Sequence, residues 1–279
     1  MIPEVISQFY FAMLGERWPG LLKALAEPEK QRARQNLFLF PENRDQPFLT
    51  QFPAEIPRHS SGLLQHYVMD PGSFYAACAL EVQDGDEVLD MCAAPGGKAL
   101  ILAEALTSSG QLIANEISEN RRDRLKKVIQ QYIPRDVRDR VWVTGKEGGK
   151  FASTHREKFN RILIDAPCSG ERHLFQNQKE LREWKANRSE KLAQRQYALL
   201  TAALLACQSK GRIVYSTCAI SNLENDLVIE KLLRKKEGSF QVLETELPIA
   251  GAEKTKYGIQ MWPDRCEAGP IYYSVLEKN

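Results

Sequence analysis

The stretch VLDMCAAPGGK, from Val88 to Lys98, constrains the fold of this chain more than any other segment. Its apolar first half predicts a buried strand closed by Asp90, and APGGK predicts a tight turn into a helix over Ala99 to Leu106. Adjacent glycines at such a turn let a ligand approach the backbone, and the first N–H groups of the helix favour an anion. The segment therefore predicts an anion site at a strand–turn–helix unit.

Elimination narrows the class of ligand that this turn can bind. A phosphate loop of the GxxxxGK[ST] type fails, because the chain has Cys92 in place of the first glycine and Ala99 after the lysine. The dinucleotide fingerprint GxGxxG fails as well, since the only glycines of the turn are Gly96 and Gly97. A ligand with a small anionic group and a ribose remains, as in S-adenosylmethionine. An ordinary βα turn without a ligand stays open as the alternative.

Composition indicates one large globular domain, or one such domain with an arm. The chain has 279 residues, of which 43% are hydrophobic, and no apolar run approaches the roughly 20 residues of a membrane span. The start lacks the pattern of a secretory or transit peptide, so we expect a cytoplasmic protein. The six cysteines include no CxxC pair and the four histidines lack metal-ligand spacing, so we expect reduced thiols and no metal.

Bulk charge does not indicate a nucleic-acid partner, because 38 basic residues face 36 acidic ones and the net charge is +2. Basic residues nevertheless cluster in RRDRLKK over Arg121–Lys127 and recur in a later spaced series. That series comprises Lys179, Arg182, Lys185, Arg188, Lys191 and Arg195. Each set predicts a basic surface, and solvated helix faces balanced by nearby acidic residues are the alternative.

Strands and helices alternate from Asp86 onward, which predicts an α/β fold with a mostly parallel sheet covered by helices on both faces. Strands are predicted at Glu87–Met91, Gln111–Asn115, Arg140–Thr144, Arg161–Ile164, Arg212–Ser216 and Ile271–Leu276. Helices are predicted at Ala99–Leu106, Glu119–Tyr132, Ser189–Cys207 and Asn222–Arg234. In such a sheet, ligands bind beyond the carboxyl ends of the strands.

The part of the chain before this alternation is predicted to be a separate arm. Residues 1–65 are assigned to the helical arm and residues 66–279 to the main domain. The arm begins with a helical pattern from Ile2 to Leu25, and a Pro- and Arg-rich stretch follows. At the start of the main domain, Asp70 predicts the cap of a helix over Ser73–Leu80.

Polar and thiol side chains follow four of the predicted strands, where a ligand is expected. Asp90 ends the first strand and Glu116 follows the second, where a carboxylate can accept both hydroxyl groups of a ribose. Asp165-Ala-Pro-Cys168 follows the fourth strand and Ser216-Thr-Cys218 the fifth. A lone acid at a strand end is commonly a helix cap. Four such positions in register indicate a site.

The two cysteines at these strand ends predict nucleophilic chemistry on a pyrimidine. Transfer of a methyl group to an unactivated ring carbon of a pyrimidine needs a nucleophile. The nucleophile adds to the neighbouring carbon and turns the ring into an enamine. A thiolate suits that addition because it is strongly nucleophilic and can later leave. Taken singly, Cys168 or Cys218 is more often a small buried hydrophobic residue. The pair is distinctive, since one cysteine directly follows an acid-Ala-Pro step.

Four segments together resemble the NOP/Sun-domain (RsmB-like) family of S-adenosylmethionine-dependent RNA cytosine-5 methyltransferases. They are CAAPGGK (92–98), NEISENR (115–121), DAPCSG (165–170) and YSTCAIS (215–221). The resemblance extends over residues 66–279 and implies a Rossmann-like class I methyltransferase fold with a mostly parallel seven-stranded sheet. GERWPGLL and RQYALLTAAL are similar to the short members that act on ribosomal or transfer RNA. The resemblance therefore implies methylation of carbon 5 of a cytidine in such an RNA.

The resemblance also implies roles for individual residues. Cys218 would attack carbon 6 of the cytosine, and Cys168 would assist release of the product by helping to remove the proton at carbon 5. Asp165 would hydrogen-bond the ring nitrogen and the exocyclic amine, with Lys98 ordering that site. The residues implied at S-adenosylmethionine are Cys92, Ala93, Ala94, Pro95, Gly96, Gly97, Lys98, Glu116, Arg121, Glu147, Gly148 and Asp165.

The chain departs from the family pattern at three places. The second strand is followed by Glu116 where Asp is common, although glutamate occurs there in some relatives. Glu147-Gly148 stands where relatives carry Asp-Gly to hold the adenine, and a glutamate makes the same bond only where its extra methylene is accommodated. Arg172 and His173 follow DAPCSGE where many members have glycine, which is expected to alter the lip of the pocket.

The RNA is expected to bind through the arm, the catalytic face or a partner protein. The arm interleaves arginines with phenylalanines, which predicts phosphate contacts and base stacking, with a packing arm as the alternative. These residues are Arg32, Arg34, Phe38, Phe40, Arg44, Phe48 and Arg58.

Two other functions stay open for this chain. They are DNA cytosine-5 methylation, disfavoured by the second cysteine, and a non-catalytic RNA-binding or assembly protein that retains the fold.

Overall fold

Two helices replace the single one predicted at the N-terminus. In the computed structural model, which describes residues 3–51, 53–106 and 108–279, α1 covers Glu4–Leu14 and α2 covers Trp18–Ala26. The break falls at Gly15, whose φ of 57° lies in the left-handed region that ends helices. The predicted start at Ile2 lies outside the described residues. None of the described helices combines the length and the apolar character needed to cross a membrane.

A two-stranded antiparallel sheet leads from the arm into the main domain. It pairs β1, Arg32–Gln35, with β2, His66–Met69. Helix α3 then covers Pro71–Cys78, and the Asp70 carboxylate caps it by accepting a hydrogen bond of 2.6 Å from the Gly72 N–H. The predicted cap is therefore confirmed.

Each strand and helix predicted after residue 86 is found, with ends shifted by a few residues. The strands are β3 (Glu87–Asp90), β4 (Gln111–Asn115), β5 (Val141–Thr144), β6 (Phe159–Asp165), β7 (Cys207–Thr217), β8 (Phe240–Leu243), β9 (Glu253–Lys254), β10 (Ile259–Met261) and β11 (Ile271–Lys278). The helices are α4 (Gly97–Ala105), α5 (Glu119–Tyr132), α6 (Arg135–Arg138), α7 (Phe151–Thr154), α8 (Glu171–Gln176), α9 (Gln178–Glu183), α10 (Arg188–Ala206) and α11 (Asp226–Lys235).

The main sheet has the order β5-β4-β3-β6-β7-β11-β10-β9, with β8 paired to β11. Its first five strands are parallel, and β11 is antiparallel to β7. Within the described residues the sheet has nine strands, so the expected count of seven is wrong. The extra strands are short pieces at the antiparallel side, and β9 and β10 have only two and three residues. Segments of that length carry no readable alternation.

Helices cover both faces of this sheet, as predicted. Residues of the parallel strands alternate between two apolar cores: Leu163 of β6 packs with α3, α4 and α5, whereas Ile162 and Ile164 pack with α7, α10 and α11. Because both faces are buried, the strands read as near-continuous apolar runs. The expected α/β architecture is confirmed, and the carboxyl ends of β3, β4, β6 and β7 lie along one edge.

A third apolar core attaches the N-terminal helices to α8 and α9. Tyr10 and Trp18 stack with ring centroids 5.0 Å apart, and Phe175 of α8 packs against both rings. Because α8 begins only three residues after Cys168, helices α1 and α2 lie beside the loop that carries this cysteine.

One arginine assigned to RNA contacts lies inside the protein. The Arg34 side chain is 0% exposed, and its guanidinium makes two hydrogen bonds, of 2.6 and 3.0 Å, to the Glu104 carboxylate. A guanidinium buried in this way cannot reach a phosphate, so the prediction is wrong for Arg34. Phe48 likewise packs edge-on against Phe74, with centroids 5.1 Å apart. For these two residues the packing alternative holds.

Candidate active site

The sulfur atoms of Cys168 and Cys218 meet at the carboxyl edge of the sheet. Cys168 lies in the loop after β6, and Cys218 directly follows β7. These strands are parallel neighbours, with Asp165 opposite Ser216, so the two loops leave the sheet side by side. The two Sγ atoms are 3.0 Å apart, and the backbone N–H of Cys218 donates to Cys168 Sγ at 3.3 Å. Both residues are free thiols.

The two thiols differ in their electrostatic surroundings. The hydrogen bond with Cys218, burial, and the negative charge that Cys218 can carry raise the pKa of Cys168 well above its usual value. The raised pKa favours the protonated form of Cys168. Its S–H can donate to a Cys218 thiolate, which leaves the more exposed sulfur free to act as a nucleophile.

Lys98 and Asp165 form an ion pair beside the thiols. Lys98 lies in the first turn of α4 and Asp165 ends β6, and Lys98 Nζ is 2.9 Å from Asp165 Oδ2. Lys98 Nζ also donates to Ser73 Oγ at 3.1 Å. Burial opposes the charged ammonium, but the attraction of Asp165 outweighs it and the pKa of Lys98 is raised. Sequence reasoning missed Ser73, whose position in α3 gave no sign of this contact.

A cavity of 540 Å³ joins these groups. Both thiols, Lys98 and Asp165 line it. Its wall also includes Ser73, Arg121, Pro167 and Arg172. A volume of this size and a lining of two thiols, one ammonium and one carboxylate suit a small polar ring.

A second cavity, of 260 Å³, adjoins the first, since Arg121 and Pro167 line both. Four of the residues implied at the cofactor line it together with Arg121, and they are Cys92, Glu116, Glu147 and Gly148. Met91, Ala198 and Leu199 add apolar walls. The two cavities therefore place a ribose-sized site next to the thiol cavity.

Glu116 is the buried carboxylate of the second cavity, with 3% of its surface exposed. Its Oε1 accepts from the Ser118 N–H at 2.8 Å, and Arg121 Nη1 lies 3.3 Å from Oε2. Arg121 also donates to the Ala94 carbonyl at 2.7 Å, which ties the glycine turn to the start of α5. A carboxylate has about four acceptor positions, so Glu116 retains capacity for ribose hydroxyl groups.

Asn115 fixes the floor of this cavity, and sequence reasoning missed it. Its side-chain amide donates to the carbonyls of Met91 and Lys146 at 3.1 and 3.0 Å. Its Oδ1 accepts from Thr144 Oγ1 at 2.9 Å. One side chain thus ties together the ends of β3, β4 and β5. The only signal was its place directly before Glu116 in NEISENR.

Asp90 is a buried carboxyl at the end of β3. It is 0% exposed, and burial together with the charge of Asp165 raises its pKa from 3.8 to about 8. The nearby Cys92 N–H lowers this pKa in part, but neither carboxyl oxygen has a partner within the described part of the chain at full hydrogen-bond geometry. A buried polar group of this kind is expected to meet a ligand or water. Asp90 directly precedes Met91 and Cys92, which line the Glu116 cavity, so its carboxyl fits the amine of S-adenosylmethionine.

The glycines of the turn are required by protein contacts. A Cβ on Gly96, where φ is +123°, would lie 2.9 Å from Val128 of α5, and one on Gly97 would lie 2.7 Å from Tyr67 of β2. The turn is thus pressed against both elements. Among the described residues, the segment Ala93, Ala94, Pro95, Gly96 and Gly97 does not line either cavity, although it directly precedes Lys98.

Glu147 and Gly148 close the far side of the second cavity. Glu147 is exposed, and its Oε1 accepts from the Gly149 N–H at 3.1 Å. A Cβ on Gly148 would collide with Leu199, so only glycine allows α10 to approach so closely. The Glu147 carboxylate turns back onto Gly149, so one of its oxygens is engaged by the chain itself.

Arg172 and His173 occupy the lip of the thiol cavity, as their positions predict. Arg172 donates to the carbonyls of Ala24 and Glu27 at 3.3 and 2.8 Å and to that of Gly269 at 3.0 Å. It therefore joins the end of α2 to the cavity wall. In the ranges that the structure describes, no three His, Cys, Asp or Glu side chains converge in a way that would hold a metal ion.

Comparison with known proteins agrees with this geometry. The family profile described as 16S rRNA methyltransferase RsmB/F matches residues 77–277. The 5-cytosine rRNA methyltransferase NSUN4 of Bos taurus is 38% identical over 187 residues, which cover 66% of this chain and 48% of that protein. The mitochondrial tRNA (cytosine(34)-C(5))-methyltransferase of Danio rerio is 35% identical over 245 residues, covering 83% of this chain and 66% of that protein.

The fold itself is shared with solved structures. The crystal structure of NSun6 from Pyrococcus horikoshii with SFG superposes with a TM-score of 0.78 at 20% sequence identity, covering 99% of this chain and 98% of that one. The expected Rossmann-like methyltransferase fold is therefore confirmed. The chain spans about half the length of the NSUN4 protein it matches, 48%. Because the profile covers most of its length, the chain belongs to the 16S rRNA methyltransferase RsmB/F family.

Proposed function

We propose that this protein is an S-adenosylmethionine-dependent methyltransferase that modifies carbon 5 of a cytidine in ribosomal or transfer RNA. The observation that carries the proposal is the pair of thiols 3.0 Å apart, in one cavity with the Lys98–Asp165 ion pair. The names of the relatives, which act on ribosomal RNA or on cytosine 34 of a transfer RNA, support the substrate class.

The first step forms a bond between Cys218 Sγ and carbon 6 of the cytosine. The thiolate supplies the electron pair of that bond, and the π electrons of the C5–C6 double bond move through the ring toward the ring nitrogen. The Lys98–Asp165 pair lines the same cavity and stabilises that charge. Lys98 Nζ donates a hydrogen bond to the Asp165 carboxylate, which holds the ammonium beside the developing charge. Carbon 5 thereby becomes nucleophilic.

S-adenosylmethionine, when bound, supplies the methyl group that carbon 5 accepts. The chain would hold it with Glu116 at the ribose, Asp90 at the amino acid end and the Glu147–Gly148 turn at the adenine. Arg121 and Pro167 line both cavities, so they form the wall through which the two reactants meet.

Release of the product requires loss of the proton at carbon 5 and cleavage of the C6–Sγ bond. The negative charge on Cys218 is one cause of the raised pKa of Cys168, and that charge disappears when Cys218 bonds to carbon. The Cys168 proton is therefore easier to lose after the addition than before it. Once the Cys168 proton has passed to solvent water, the thiolate takes the proton from carbon 5. The C5–H electron pair forms the C5–C6 double bond, and the electron pair of the broken C6–Sγ bond returns to Cys218.

The base must leave its stack to reach the two thiols, which favours a loop or an opened segment of RNA. Reduced thiols at the site suit the cytoplasm, where we propose that the protein acts.

The proposed function is tested by bisulfite sequencing of total RNA from cells with and without the gene. Loss of one cytosine signal in ribosomal or transfer RNA is the expected result, and an unchanged pattern in both RNAs would argue against the function.

A further inference from the structure

Two buried glutamates brace the loops that carry the cysteines. Glu171, at the start of α8, belongs to the Cys168 loop, and Glu224 belongs to the Cys218 loop. Both are 0% exposed. We propose that Glu171 and Glu224 are positioning residues, each of which holds a backbone N–H of the opposite loop and so sets the alignment of the two sulfur atoms. The proposal rests on the function proposed above for the cysteines.

Glu224 holds the loop on both sides of Cys168. Its Oε2 accepts from the Ser169 N–H at 3.0 Å and from Gln196 Nε2 at 2.9 Å. Gln196 Nε2 donates in addition to the Pro167 carbonyl at 2.9 Å. The residues before and after Cys168 are thus tied to one carboxylate and its amide partner. Rotation of the Cys168 backbone would break at least one of these bonds.

Glu171 makes the reciprocal contact. Its Oε2 accepts from the Ile220 N–H, two residues after Cys218, at 3.2 Å. Its Oε1 accepts from Ser169 Oγ at 2.6 Å and from the Tyr10 hydroxyl at 3.2 Å. Because Tyr10 belongs to α1, the N-terminal helix is attached to the same brace.

Burial of two carboxylates costs folding free energy, which argues that Glu171 and Glu224 do more than fill space. Two carboxylates are buried close enough for the charge of Glu224, after burial itself, to raise the pKa of Glu171 to about 7. Glu224 Oε1 has no partner among the described residues, which adds to the cost. Apolar side chains would fill the space at less expense, but they cannot accept an N–H from the facing loop. The bonds to Ser169 and Ile220 are what the carboxylates add.

The test combines a measure of sulfur proximity with steady-state kinetics. Diamide oxidises two adjacent thiols to a disulfide, and its N=N bond takes up the two electrons and two protons that they lose. The rate of Cys168–Cys218 disulfide formation, followed by mass spectrometry, reports on alignment without any methyl transfer. We would compare wild type, Glu224→Met and Glu171→Met, which lack the oxygens that accept the loop N–H groups, with Glu104→Met as a control that removes a buried carboxylate elsewhere.

We expect each substitution at the brace to slow disulfide formation and to lower kcat by about tenfold or more, with KM for RNA changed by less than about threefold. The control should lower Tm and leave both rates of the folded protein near wild type. Should Glu224→Met fail to fold, Gln196→Met removes the bond to the Pro167 carbonyl and is expected to have the same effect. Wild-type rates in the folded variants would overturn the proposal.

The two proposals fail in different ways. If wild type methylates no RNA but the glutamate variants form the disulfide more slowly than wild type, the positioning role is supported and the enzymatic function is contradicted. If wild type methylates RNA and the variants keep its kcat and its oxidation rate, the function stands and the brace falls.

Discussion

The sulfur atoms of Cys168 and Cys218 lie 3.0 Å apart, although 50 positions separate them in the sequence. This contact depends on β6 and β7, which run parallel and end together, and on the two glutamates that tie their loops. The chemistry proposed for this protein requires both sulfur atoms at one base.

Replacement of the nucleophile should abolish the reaction. Cys218→Ala removes the only atom proposed to bond to carbon 6, so we expect methylation of RNA by the purified protein to fall below detection. Incorporation of tritium from labelled S-adenosylmethionine measures it. Cys266→Ala, at a buried thiol outside the cavity, is the matched control and should retain activity. Activity in the Cys218 variant would assign the attack to another group.

Lys98 should matter for the rate more than for binding of RNA. Lys98→Met keeps most of the buried stem but removes the ammonium that faces Asp165, so the charge on the ring loses its stabilisation. We expect kcat to fall by about 10²–10³, the range found when one preorganised donor is removed. Single-turnover kinetics at saturating RNA measures this step. Ser73→Ala, which removes only a hydrogen bond to the same ammonium, should have a smaller effect.

Glu116 should control affinity for the cofactor. Glu116→Gln leaves the size of the side chain unchanged but removes the negative charge that strengthens hydrogen bonds from the ribose hydroxyl groups. We therefore expect Kd for S-adenosylmethionine to rise about tenfold. Isothermal titration calorimetry measures it. Glu119→Gln changes an exposed acid in the first turn of α5 and should leave Kd unchanged. Equal affinities in both variants would show that the ribose lies elsewhere.

Asp90 should make stability fall as pH rises. Its pKa is raised in the folded state from 3.8 to about 8, so between these values the folded protein binds more protons than the unfolded chain. Stability is then lost as pH increases through this window. Asp90→Asn cannot titrate, and we expect its Tm to decrease less than that of wild type from about pH 5 to about pH 9. Parallel Tm profiles for the two proteins would contradict the assignment.

The Arg34–Glu104 pair should serve stability alone. Arg34→Met leaves a buried carboxylate without its partner, and loss of one member of such a pair costs about 3–5 kcal/mol of unfolding free energy. Urea unfolding measures that cost. The salt dependence of RNA binding should not change, because the guanidinium is 0% exposed. A reduced salt slope would mean that Arg34 contacts phosphate.

The parts of the site that could be predicted are those that follow from strand ends. Asp165, Cys168 and Cys218 each come after an apolar strand, and parallel strands end at one edge, so their convergence follows from the sequence pattern. The pattern does not show which loop residues turn inward. Glu171 follows the Cys168 loop and Glu224 falls in the first turn of the predicted helix Asn222–Arg234, and neither position predicts burial, yet both are buried.

Other features depend on contacts between distant segments, which local patterns do not record. Adjacent glycines predict room for a ligand, whereas the structure shows Gly96 and Gly97 pressed against Val128 and Tyr67. The sequence pattern predicts a surface position for Arg34, but its guanidinium is buried against Glu104, which lies 70 positions away in the sequence. Strands as short as β9 exist only because β10 offers them a partner.

The covalent intermediate gives the most direct test of the two-cysteine site. In Cys168→Ala the adduct can form but cannot be resolved, so RNA should remain attached to the protein through denaturing electrophoresis. Mass spectrometry after nuclease digestion should find the nucleotide on the peptide that contains Cys218. Loss of the adduct in the Cys168→Ala/Cys218→Ala double variant is the control. Attachment at any other residue, or no adduct from a variant whose wild-type parent methylates RNA, would contradict the account.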